Sequence, residues 1–93
     1  MSTLRKWDVV DHLNTEEEMV LYFEACLEEG DAALVAAALG DIARARGMAQ
    51  LARDTGLTRE GLYKALSADG NPSFATIMKV TKALGFTLRA EVS

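Results

Sequence analysis

The sequence of 93 residues predicts an all-α fold of five helices, ended by a short C-terminal β-strand. Three observations carry that prediction. Apolar residues recur at helical spacing from Glu16 to Leu84, polar caps and glycines divide that stretch at short intervals, and the last residues switch to period two. No internal repeat or low-complexity segment is present.

Trp7 to Leu13 reads as a short amphipathic piece, with Asp8 as its cap and Asn14-Thr15 closing it. Glu16 to Glu29 follows as a clear helix. Thr15 and Glu18 form a capping-box pattern, and Gly30 stops the helix. On a helical wheel Met19, Val20, Tyr22, Phe23, Cys26 and Leu27 share an apolar arc, opposite Glu17, Glu24 and Glu28. Leu21 falls off that arc. Asp31 caps the next helix, which runs to about Arg46 with Leu34, Val35, Ala38, Leu39, Ile42 and Ala45 as its inner stripe. Its alanines suit close helix packing. Arg44 and Arg46 complement the negative end of that helix, or reach a phosphate.

After Gly47 comes the most informative stretch, MAQLARDTGLTREGLYKAL, residues 48–66. Met48 to Thr55 forms a short helix. Gly56 supplies the residue that tolerates positive φ at its end, Leu57 is of buried type, and Thr58 offers a hydroxyl cap to the next helix. That helix has one apolar side, Leu62, Ala65 and Leu66, and another carrying Arg59, Glu60, Tyr63 and Lys64. Ala52 is small enough to let the two helices approach. A short helix, a glycine turn and a second helix with a long-reaching polar face is the layout of a helix-turn-helix DNA reader.

SADGNPS, residues 67–73, is a turn cluster, and its Ser73 caps a fifth helix, Phe74 to Leu84, ended by Gly85. Phe74, Ile77, Val80 and Leu84 are expected inside, Lys79 and Lys82 outside. In FTLRAEV, residues 86–92, Phe86, Leu88, Ala90 and Val92 alternate with Thr87, Arg89 and Glu91, which predicts a strand. A lone strand is unstable in water, so residues 4–10 or the same strand of a second subunit would have to pair with it. A homodimer suits DNA reading, because paired helices fit half-sites about one duplex turn apart.

Composition sets the remaining bounds. With 49% hydrophobic and 26% charged residues the chain is globular, and no apolar run approaches the ~20 residues of a membrane helix. The start lacks a signal-peptide pattern, so a cytoplasmic protein without membrane contact is expected. Cys26 is the single cysteine and reads as a buried hydrophobe; with His12 the single histidine, no metal-ligand set exists. No nucleophile–base pair or glycine-rich phosphate loop points to an enzyme, a metal or a cofactor. The net charge of −4 is unevenly divided. Residues 1–40 hold nine acids against Arg5 and Lys6, a net −7, whereas residues 41–93 hold eight bases against five acids, a net +3. The expected organisation is therefore an acidic N-terminal helical extension, residues 1–30, and a helix-turn-helix DNA-binding domain with the strand, residues 31–93.

The run GDAALVAAALGDIARARGMAQLARDTGLTREGLYKALSADGNPSFATIMKVTKALGF, with YFEACLEEGD before it, resembles the addiction-module antidote family, HigA-like antitoxins with a Cro/phage-repressor-type helix-turn-helix. The family-like positions are ALGDIARARGM, GLTREGLYKAL, GNPSF and KALG. The resemblance implies a five-helix, repressor-like DNA-binding domain and a toxin encoded beside it, usually a small basic protein of RelE/ParE type. In such modules the antitoxin blocks the toxin and represses their shared operon. An acidic surface within residues 1–40 would complement such a toxin, or would simply keep the chain soluble.

Laid on a repressor-type motif, the expected DNA-binding residues are Gln50, Thr58, Arg59, Glu60, Tyr63, Lys64 and Ser67. Arg59 can take both acceptors of a guanine edge, and Lys64 reaches a base or phosphate one turn later. Glu60 accepts from cytosine or orients Arg59. Thr58 stands at the helix start, where a phosphate is bound through hydroxyl or N–H; Gln50 and Ser67 are further phosphate contacts. Gly61 costs roughly 1 kcal/mol of helix propensity relative to Ala, and serves a close backbone approach or marks a weak reader. The leading expectation is a type II antitoxin that also represses its operon on double-stranded DNA. The alternatives are a prophage-type repressor without a toxin, and an inhibitor whose motif no longer reads DNA.

Overall fold

The computed structural model describes residues 13–92. It contains α1 (Glu16–Glu29), α2 (Ala32–Arg46), α3 (Met48–Thr55), α4 (Arg59–Ala65) and α5 (Phe74–Ala83). Local chemistry sets most of the boundaries. Thr15 accepts a hydrogen bond from the Glu18 amide at 3.1 Å, and the Glu18 carboxylate accepts from the amides of Thr15 and Asn14, so the box ahead of α1 is complete. Asp31 caps α2, Thr58 caps α4 through the Gly61 amide, and Ser73 caps α5 through the Thr76 amide. Gly30 and Gly56 end α1 and α3 in the left-handed conformation, at φ 73° and 75°.

The core is built around α2, whose Ala38, Leu39, Ile42 and Ala43 are fully buried. Met19, Phe23 and Cys26 of α1, Met48 and Leu51 of α3, Leu62 and Leu66 around α4, and Val80 and Leu84 around α5 complete one cluster. Thus α1 shares its core with the helices that follow. Where α2 meets the end of α4, the backbones nearly touch. A Cβ on Gly40 would lie 2.1 Å from the Leu66 carbonyl oxygen, so only glycine fits. Ala52 packs against the same core from α3.

Three expectations need correction. No strand occurs among the described residues, and 86–92 is irregular. A strand requires a ladder partner, and none of the described chain provides one. The alternation instead reflects packing: the Phe86 amide bonds the Thr81 carbonyl at 2.8 Å, and its ring lies 5.9 Å from that of Phe23. Phe74 is not inside but 72% exposed. The inward face of α5 begins one turn later, with Ile77, Val80, Thr81 and Leu84, and Phe74 only borders an open hollow of about 440 Å³. Finally, Val20 and Leu27 lie at the edge of the α1 arc and are exposed, while Leu21 faces solvent as expected. The Trp7–Leu13 piece (apart from Leu13, which is buried), His12 and the proposed pairing of residues 4–10 fall outside the described residues.

Candidate nucleic-acid interface

α3 and α4 are joined by the three residues Gly56, Leu57 and Thr58, and their apolar sides enter the core through Leu51 and Leu62. Burial of Leu62 and Leu66 fixes the rotation of α4, and the helical period then decides what points outward. Arg59, Glu60, Tyr63 and Lys64 are all exposed, on the first two turns of a seven-residue helix. Among the described residues neither Arg59 nor Lys64 takes part in an ion pair. Their charges are therefore available to an outside ligand.

The remaining sequence-predicted residues are placed less uniformly. The Thr58 hydroxyl oxygen accepts from the Gly61 amide at 2.9 Å, which leaves its O–H free to donate. A Cβ on residue 61 would stand 2.9 Å from that oxygen, so Gly61 leaves room for the cap. Ser67 is half-buried and donates to the Lys64 carbonyl at 3.1 Å, closing the end of α4. Gln50 lies on α3, where its amide donates to Asp54 at 2.8 Å and accepts from Arg53 at 2.7 Å. That chain brings in Arg53, an exposed cation of α3 that the sequence reading passed over. Its position three residues after Gln50 on the same helix face is the signal that would have found it.

Arg44 and Arg46 are engaged within the fold. Arg46 donates to the Leu84 carbonyl at 3.2 Å and pairs with Glu16 at 3.4 Å. Arg44 pairs with Asp41, which is buried in the middle of α2, and the other Asp41 oxygen accepts from the Tyr22 hydroxyl at 2.8 Å. The network ties α1 to α2. Burial, and then the bond to Asp41, push the Tyr22 hydroxyl well above its ordinary pKa, and burial raises Cys26 as well. Every buried side-chain nitrogen and oxygen among the described residues has a partner.

The candidate surface so described consists of exposed cations, with hydroxyls beside them, around two short helices. No group of three or more potential metal-ligating side chains occurs among the described residues, and no described helix is long and apolar enough to cross a membrane. Comparison with known proteins adds what geometry alone does not. A family profile described as "Probable addiction module antidote protein" matches residues 3–92. An uncharacterized protein of Haemophilus influenzae is 56% identical over 90 residues, which span 97% of this chain and 93% of that protein. No solved structure matches. Since the profile takes in every helix described above and the identity runs nearly end to end, the chain belongs to the family of probable addiction module antidote proteins, whose partner is a toxin.

Proposed function

We propose that this protein is the antitoxin of a type II module, neutralising a RelE/ParE-type toxin by direct contact in the cytoplasm and repressing its own operon by binding DNA. Membership of the antidote family supports the first activity. The second is supported by one observation above the others: α4 exposes Arg59, Tyr63 and Lys64 from a helix whose opposite side is locked into the core. In this reading α3, the Gly56 turn and α4 act as a helix-turn-helix. α4 enters the major groove, Arg59 reads a guanine, Lys64 and Thr58 hold phosphates, and Glu60, Tyr63, Gln50 and Ser67 flank them. Two copies then read two half-sites as a homodimer.

Co-expression tests the first activity. Growth arrest caused by the module's other gene should be relieved when this protein is expressed with it. Persistent arrest would remove the antitoxin reading. For the second, the operon's promoter fragment is titrated at two salt concentrations. Binding that weakens with salt and prefers the promoter over random duplex is expected. Equal affinity for both duplexes would leave an inhibitor that acts by protein contact alone.

A further inference from the structure

Two hollows run along α1, one of about 380 Å³ at its start and one of about 260 Å³ further along. They share Val20, Gly85 and Phe86, and so form one continuous groove between α1 and residues 85–91. Its lining is apolar where solvent reaches it: Val20 is 37% exposed, Leu27 46% and Leu88 38%, and Leu21, on the edge, 65%. Its rim is acidic. Glu16, Glu17 and Glu24 contribute from α1 and Glu91 from the tail, against Arg89 alone of opposite sign.

The acids of α1 are not all explained by the helix itself. Glu16, Glu17 and Glu18 suit its positive end, and Glu18 also completes the cap. Glu28 and Glu29 do the reverse. They stand at the negative end with no basic residue in the last turn, and Glu24 repels Glu28 one turn away. Among the described residues the one ion pair made by α1 is Glu16 with Arg46. This helix therefore carries uncompensated negative charge beside exposed apolar surface.

We infer that the groove between α1 and residues 85–91 seats a basic amphipathic segment of the partner toxin, its apolar side chains on Val20, Leu21, Leu27 and Phe86 and its Lys or Arg side chains against Glu17, Glu24 and Glu91. This rests on the antitoxin reading. Charge selects the occupant. A second copy of the chain would bring one acidic rim against another. The side chains of the chain's own first twelve residues set Arg5 and Lys6 against Asp8 and Asp11, and together offer no net positive charge to the rim.

The test titrates the purified toxin of the module into the full-length protein by calorimetry. Wild type is compared with Leu21→Ser and with Glu24→Lys/Glu91→Lys, all at exposed positions of the groove, and with Asp69→Lys, an exposed acid after α4 and away from the groove, as the control. Both groove variants should raise the Kd at least tenfold with unchanged melting temperature, while Asp69→Lys leaves the Kd unchanged. An unchanged Kd in both groove variants overturns the inference, although the antitoxin reading stands. No binding by wild type overturns both. If Leu21→Ser without toxin lowers the melting temperature, the chain's own N-terminal segment fills the groove. If it instead breaks a dimer in sedimentation, a second copy does. Either result overturns the inference.

Discussion

Asp41 shows how one side chain can couple two helices. It is nearly inaccessible, yet both of its oxygens are used, by Tyr22 and by Arg44. Asp41→Ala removes the acceptor for both and should cost about 1–3 kcal/mol in urea unfolding. Tyr22→Phe, which loses one bond but leaves Arg44 paired, should cost about 1 kcal/mol. Because the folded state holds Tyr22 protonated above its ordinary pKa of 10.0, the unfolded chain loses that proton first as pH rises. Stability is thus intact below pH 10 and falls above it, an alkaline loss that Tyr22→Phe should reduce in melts taken across that range. Arg59 and Lys64 differ in the kind of effect expected. Arg59→Ala should cost about 1–3 kcal/mol at one base pair and relax preference there, whereas Lys64→Ala should weaken all duplexes alike and lower the salt slope by about 1. Footprinting on operator variants and a salt series separate the two. Asp41 was not legible in the sequence, because an acid inside an apolar stripe declares neither its burial nor its partners. The exposed face of α4 was legible, because two buried leucines determine the helix's rotation.

What punctuation the helices carry is local, and it was readable. Thr15 with Glu18, Asp31, Thr58 and Ser73 all cap the helices their spacing implied, and Gly30 and Gly56 take the left-handed conformation. Interactions between helices were not. Gly40 stands among the alanines of α2, and its lack of a side chain is what lets the Leu66 carbonyl approach. Gly40→Ala drives a methyl group into backbone oxygen, and should destabilise by about 1–3 kcal/mol through separation of α2 from α4. A chemical-denaturation midpoint checks the cost. DNA binding measured on the still-folded fraction checks whether α4 has moved. The tail misled for a related reason. Period-two alternation tells which residues want cover, and Phe86 finds it against Phe23 without any strand partner. Phe74 sits one turn ahead of the buried face of α5, a boundary that helical spacing alone does not reveal.

Over the entire chain, charge is separated rather than balanced, with net −7 in residues 1–40 and +3 beyond. On the proposed DNA-binding reading, a duplex is drawn to one part and repelled by another, which limits nonspecific association. Glu24→Gln/Glu28→Gln should therefore raise affinity for random duplex while leaving the order of preference among operator variants intact. Competition titrations with random DNA would expose a failure, if affinity stayed the same. The bridge made by Arg46 has a topological consequence as well. One guanidinium nitrogen reaches both Glu16, at the start of the first described helix, and the carbonyl of Leu84, just past the last. The two ends of the helical body are therefore neighbours, bridged by one side chain. A short linker between them would close a loop at little entropic cost. The joined chain can then be opened at the Asp69–Gly70 turn, giving a circular permutant in which α5 leads directly into α1.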